Sequence, residues 1–229
     1  MIEVILRPQL EGIKSEVTKF LDLISKDKKL PNENDLKYIS KAILFQKEVF
    51  VMNSSKRIHY KMCMIYDILL VVYSLTQNSI LNFYNAYRSY IENLVRALLD
   101  IEDDDETGVN SLFRMFKEKV KEDDELLELY NFIYGEYSKA CDYIHSNIRA
   151  DMDIYNYYSD IISSNEMNDN KVSSYIAMVK TLMAKANKLI LLINPLKIES
   201  IYYRKYEELK FLIGKKTYDK YKPNLKNKG

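Results

Sequence analysis

Tyr84–Leu99, YNAYRSYIENLVRALL, and Tyr137–Arg149, YSKACDYIHSNIR, are the stretches from which the rest of the chain is read. Advanced at the helical period, Tyr84, Tyr90, Leu94, Val95, Leu98 and Leu99 of the first fall on one continuous apolar arc. Arg88 lies inside the edge of that arc, between Val95 and Leu99, with Glu92 one turn further on. The second stretch continues an apolar pattern that begins at Leu126 and runs through Leu129, Tyr130, Ile133, Tyr134, Ala140, Cys141 and Ile144. His145 stands at the rim of that pattern, beside Ser138 and Arg149. Two long amphipathic helices that must bury one face each predict an all-α bundle.

Composition points the same way. The chain has 229 residues, of which 47% are hydrophobic and 29% charged, enough of each for a core and a solvated surface. Five glycines and four prolines are too few for a hairpin-rich fold. The net charge of +1 carries no overall signal for binding polyanions. Charge is uneven, however: Asp100–Glu128 holds 12 acids against 4 bases, and Lys197–Gly229 holds 10 bases against 4 acids. Such asymmetry serves self-association or binding at one end, or is two solvated surfaces.

Cys63 and Cys141 both lie in apolar helical patterns and read as buried cytosolic thiols rather than as a disulfide framework. The start, MIEVILRPQL, has no basic leader and no cleavage box. The most apolar window, Met62–Leu75, contains Asp67 and is too short to span a bilayer. The expectation is a cytoplasmic protein without a membrane partner.

Outside the two key helices, the pattern predicts helices over Pro8–Lys26, from Asp35 to Val49, over Lys56–Gln77, Ser111–Val120, Lys171–Ile193 and Glu199–Ile213. Asp35 and Ser55 are the expected caps of the second and third. The Lys56–Gln77 helix is apolar on most sides and reads as central. Glu102–Gly108 and Asn156–Asn170 read as exposed connections, and the basic stretch after Lys215 as a frayed tail. These marks divide the chain into an N-terminal helical extension (1–55), a helical core (56–195), and a C-terminal helix with a basic tail (196–229).

Chemistry is narrowed by what the sequence lacks. It has no GxxxxGK[ST], GxGxxG or HExxH, and two His with two Cys do not make a usual zinc site. No cofactor and no metal is expected. His59, after Lys56 and Arg57, reads as a surface residue. Arg88 with Glu92 is either a structural ion pair or part of a site, and His145 is either a core-edge histidine or a functional one.

The segments RSYIENLVRALLDI (Arg88–Ile101) and YSKACDYIHSN (Tyr137–Asn147) together resemble the HEPN superfamily of small helical domains. Many of its members are ribonucleases of bacterial toxin–antitoxin, abortive-infection and CRISPR-linked defence. The resemblance covers residues 56–195. In that family an arginine stands four to six positions before the histidine, whereas the window before His145 here, with Ser138, Lys139 and Ala140, holds no arginine. Lys139 has suitable spacing but projects away from His145 on an ideal helix, and it lacks the guanidinium fork. Some divergent branches pair the histidine with an arginine of the preceding long helix, which here is Arg88.

What the resemblance implies is a metal-independent endoribonuclease of a HEPN-type bundle with added N- and C-terminal helices. RNA is its substrate and partner, with Arg88 and His145 catalytic and Glu92, Ser138, Ser146, Asn147 and Arg149 in support. A homodimer and an antitoxin or other defence-system protein are the further implied partners. The alternative is a catalytically inactive helical sensor, antitoxin or scaffold subunit that works through protein contacts. A third reading is an unrelated adaptor binding through the acidic Asp100–Glu106 loop.

Overall fold

A chain with so few glycines has to turn on other residues. Asn32, Arg57, Asn78, Asp100 and Arg204 all adopt the left-handed backbone region, with φ between 52° and 62°. Asn and Asp enter that region at modest cost, while arginine does so rarely. The computed structural model of the chain describes residues 2–145, 153–165 and 167–226; at 2–9, 145, 157, 160, 161, 163–165 and 223–226 it describes backbone alone.

The chain is all-α, with no strand among the described residues. The helices are α1 (Ile2–Asp27), α2 (Glu33–Lys47), α3 (His59–Thr76), α4 (Ile80–Leu99), α5 (Val109–Val120), α6 (Asp124–His145), α7 (Ile154–Asn165), α8 (Asp169–Ile193), α9 (Pro195–Ile201), α10 (Tyr206–Ile213) and α11 (Lys215–Lys226). Between α2 and α3 the chain widens into a π-helical turn, Glu48–Met52. No described helix is long and apolar enough to cross a membrane.

The central helix is α4, packed against α3, α5, α6 and α8. Its N-terminus is closed by Ser79, whose hydroxyl accepts from the Asn82 amide. At the other end Asp100 caps in the left-handed region, and Lys119 Nζ donates to the Leu98 carbonyl at 2.8 Å. Phe83, Tyr87, Tyr90, Ile91, Leu94 and Val95 are completely buried along its length. Residues from all parts of the chain, from Ile24 in α1 to Tyr221 in α11, share one apolar core.

Helix directions are mixed. Helices α3 and α4 form an antiparallel hairpin, and α6 runs antiparallel to both α4 and α8, the latter through Lys185–Glu128 and Lys188–Glu125 pairs. In contrast, α2 and α8 run in the same direction, pinned by Lys180–Asp35 at 2.6 Å near one end and by Gln46–Asn187 at 2.9 Å further along. Gln46 also accepts from the Tyr90 hydroxyl at 3.0 Å, so one buried polar chain ties α2, α4 and α8 together.

Several expected boundaries move for local reasons. Asp35 lies inside the first turn of α2 rather than capping it, and its carboxylate takes Lys180. Lys56–Ile58 stay outside α3 because Arg57 turns through positive φ, and Ser55 makes no cap. The Glu199–Ile213 helix is broken at Arg204 into α9 and α10, and Pro195 opens α9 at a position where its missing N–H costs nothing. The connection expected over Asn156–Asn170 contains α7, and the tail expected to fray forms α11, where Lys220 reaches Glu125 at 3.4 Å.

Two expectations about burial also change. The third helix is not enclosed: Met62, Tyr66, Leu69 and Tyr73 are exposed at successive helical spacings along α3. Cys63 and Cys141 are free thiols that are only partly buried.

The acidic stretch after α4 is committed inside the molecule. Arg57 bridges Asp100 and Glu102, Lys61 Nζ sits 2.6 Å from Asp100, and the His59 amide donates to Asp103 at 2.8 Å. The Tyr60 hydroxyl donates to the Asp105 carbonyl, and Arg96 pairs with Asp105. This strap clamps the far end of the α3–α4 hairpin and uses several of the carboxylates that an acidic docking loop would have offered.

Candidate functional site

Helices α4 and α6 meet along a seam rich in tyrosine. Tyr84 stacks on Tyr143 with ring centroids 4.2 Å apart, which sets the last turn of α6 beside the first turns of α4. Further along, the Tyr87 hydroxyl donates to Glu136 Oε2 at 2.8 Å. Glu136 is buried, and its second oxygen takes Lys139 Nζ at 2.7 Å. Burial, reinforced by the Glu136 charge, pushes the Tyr87 hydroxyl well above its ordinary pKa, so it remains a donor.

Arg88 directly follows Tyr87 on α4, with its side chain 32% exposed. Its Nε lies 3.7 Å from Glu92 Oε1, an i,i+4 pair too long to be a hydrogen bond, and that buried Nε has no hydrogen-bond partner. Glu92 in turn faces Tyr137 and, through it, Cys141. Burial first, then hydrogen bonding to Cys141 and the nearby Glu92, hold the Tyr137 hydroxyl protonated far above its ordinary range. The seam therefore gathers Arg88, Glu92, Tyr137 and Cys141, a cation with one loose carboxylate partner flanked by two weakly acidic donors.

The other expected site residues are distributed as follows. Ser138 is exposed on the next face of α6. Lys139 is spoken for by Glu136. His145 is the last residue of α6, and its side chain lies outside the described residues, as do Ser146, Asn147 and Arg149 altogether. His59 is exposed at the start of α3. Among the described residues no group of three His, Cys, Asp or Glu side chains is placed to hold a metal ion.

No protein-family model, curated protein or solved structure matches the chain.

Sequence reading missed two polar clusters. Tyr87 and Glu136 are spaced as ordinary core and surface positions, and only the crossing of α4 over α6 brings them together. The second cluster is Asp67 with Ser89 and Asn93, whose side chains donate to Asp67 Oδ2 at 2.7 and 2.8 Å. Its signal was a lone acid in the most apolar window of the chain.

Proposed function

We propose that the chain is a metal-independent endoribonuclease of HEPN type, in which Arg88 and His145 cleave RNA by transesterification. The observation that carries this reading is the Arg88 guanidinium, half-buried at the α4–α6 seam, with a buried Nε that has no hydrogen-bond partner and a carboxylate no nearer to it than 3.7 Å. A desolvated guanidinium held this loosely is suited to an anion that arrives from outside, because bidentate phosphate contacts are among the strongest hydrogen bonds available.

The chemistry needs little machinery, since RNA supplies its own 2′-hydroxyl nucleophile. The 2′-oxygen bonds to the adjacent phosphorus, the bond from phosphorus to the 5′-oxygen breaks, and the products are a 2′,3′-cyclic phosphate and a 5′-hydroxyl. The proton leaving the 2′-hydroxyl is taken up by base catalysis, and one is delivered to the departing 5′-oxygen. His145 is the group assigned to proton transfer, with a pKa range suited to both roles. Arg88 stabilises the charge that develops on the phosphoryl oxygens. Glu92 is assigned to support the guanidinium from one turn away, and Ser138, Ser146, Asn147 and Arg149 to binding the RNA around it. A homodimer, with an antitoxin or another defence-system protein as regulator, completes the proposal.

A second reading is favoured by the uncharged stripe on α3. Met62, Tyr66 and Leu69, with Leu23 of α1 nearby, present an apolar face of the kind that marks protein contacts. A helical sensor, antitoxin or scaffold subunit would use that face without catalysis.

Induced expression separates the two. Ribonuclease action predicts arrested growth and degraded cellular RNA with the wild type, both abolished by His145→Ala and by Arg88→Ala. Normal growth with intact RNA from a well-expressed wild type would reject the nuclease in favour of the contact module.

A further inference from the structure

A cavity of about 410 Å³ opens between α3 and α4 on the flank that carries Asp67, away from the seam between α4 and α6. Its polar lining includes Asp67, Gln77, Asn82, Asn85 and Ser89, with Tyr73 at its exposed lip. Every lining residue except Asp67 is uncharged. Asp67 itself is only 8% exposed. No Lys, Arg or His forms an ion pair with it among the described residues.

The carboxylate is held asymmetrically. Ser89 and Asn93 both donate to Oδ2, which fixes its orientation, while Oδ1 takes neither of those bonds. A charge this far from water is costly unless a cation or a full set of donors compensates it. Burial raises the Asp67 carboxyl above its ordinary pKa, and the two donors counter only part of that effect. A perturbed carboxylate in a cleft, with no internal counter-ion, is a site candidate with a physical rationale.

We propose that this cavity binds an organic cation, an ammonium or guanidinium group whose charge is neutralised by Asp67. The neutral amides of Gln77, Asn82 and Asn85 offer acceptors for its remaining N–H groups, and the Tyr73 ring offers a face on which a cation is attracted. The volume lies within the range of small-molecule pockets. One carboxylate is too little for a dedicated calcium or magnesium cage, which calls for several oxygen ligands in fixed geometry. This site is independent of the RNA-cleavage reading. The cation comes either from a free amine such as agmatine or spermidine, or from an arginine or lysine side chain of a peptide.

Amide chemical shifts of the full ¹⁵N-labelled chain test the site, titrated with agmatine, with spermidine, and with Gly-Arg-Gly and Gly-Lys-Gly peptides. Saturating shifts confined to residues of α3 and α4 are expected with at least one of these. The small amines alone responding assigns a free metabolite, and the peptides alone responding assigns a protein partner. Asp67→Asn keeps the shape and the Ser89 and Asn93 contacts, and is expected to weaken binding by about tenfold or more. Tyr73→Ala, at an exposed ring outside the core, is expected to weaken it severalfold, and reads out the site even if Asp67→Asn fails to fold. Absence of shifts with every cation, equal binding by folded Asp67→Asn, or a response to magnesium or guanosine monophosphate alone would overturn the proposal.

Discussion

Removing one oxygen from Tyr90 is the sharpest test of how this core is specified. Tyr90 and Gln46 are both completely buried, and the tyrosine hydroxyl donates to Gln46 Oε1 at 3.0 Å. Gln46 uses its own amide to reach Asn187 Oδ1 at 2.9 Å and the Met183 sulfur at 3.8 Å. In Tyr90→Phe the ring stays packed, but the Gln46 carbonyl is stranded where no solvent reaches it. A buried acceptor left in that state costs about 1–3 kcal/mol. For a chain of this length, each kcal/mol lowers the thermal midpoint by about 2–4 °C, so a fall of about 2–12 °C is expected. Urea unfolding followed by circular dichroism would measure the free energy. A companion variant, Gln46→Leu with Tyr90→Phe and Asn187→Leu, removes the whole polar chain and should recover much of the loss, because matched deletion strands nothing. A Tyr90→Phe protein within about 0.5 kcal/mol of wild type would refute the claim that the Gln46 carbonyl is dry and depends on the Tyr90 hydroxyl.

Other consequences are equally specific. The Asp67 carboxyl titrates at higher pH in the folded chain than in the unfolded one, so stability falls as pH rises from the unfolded value through the raised folded one, and stays reduced above it. Asp67→Asn should abolish that acid-side slope in urea titrations across pH. Asp100 behaves oppositely: burial pushes it up, but Lys61 and Arg57 outweigh this and hold it below its ordinary value. Its contribution is present above the unfolded pKa and lost as pH falls through the lowered folded one, and Asp100→Asn should remove it. The same substitution leaves Lys61, with a side chain 5% exposed, short of its partner, for a loss of about 1–3 kcal/mol by denaturant midpoint. Gly214→Ala should cost about 1 kcal/mol or more, since φ is 84° there and open space around the new methyl group does not relieve backbone strain.

What the sequence disclosed depended on whether a signal was local. Periodicity placed α4 and α6 within a few residues, because Leu94, Leu98, Leu129 and Ile133 mark their faces without reference to anything distant. The i,i+4 relation of Arg88 and Glu92 was visible for the same reason. Turn chemistry misled where the chain used residues with little turn preference: Arg57 and Arg204 at positive φ shortened one helix and split another. Composition misled at α7 and α11, where polar or basic stretches are helical; α11 is anchored by contacts to Glu125 that lie far away in sequence. The same limit applied to the site. Tyr137 beside Glu92 and Asp67 beneath Ser89 are products of helix crossing, which no single-helix projection contains.

The acidic strap over α3 carries a consequence for the order in which the molecule comes apart. It ties Asp100–Asp105 back to Arg57–Lys61, while Ser79 closes the opposite turn, so the α3–α4 hairpin is fastened at both ends. A unit fastened at both ends opens as a whole. Its amides, Leu94 and Ile68 among them, should be among the slowest of the molecule to exchange with deuterium. Because the fastening at the strap is ionic and partly exposed, raising salt should hasten exchange at that end first, leaving the Ser79 turn unchanged.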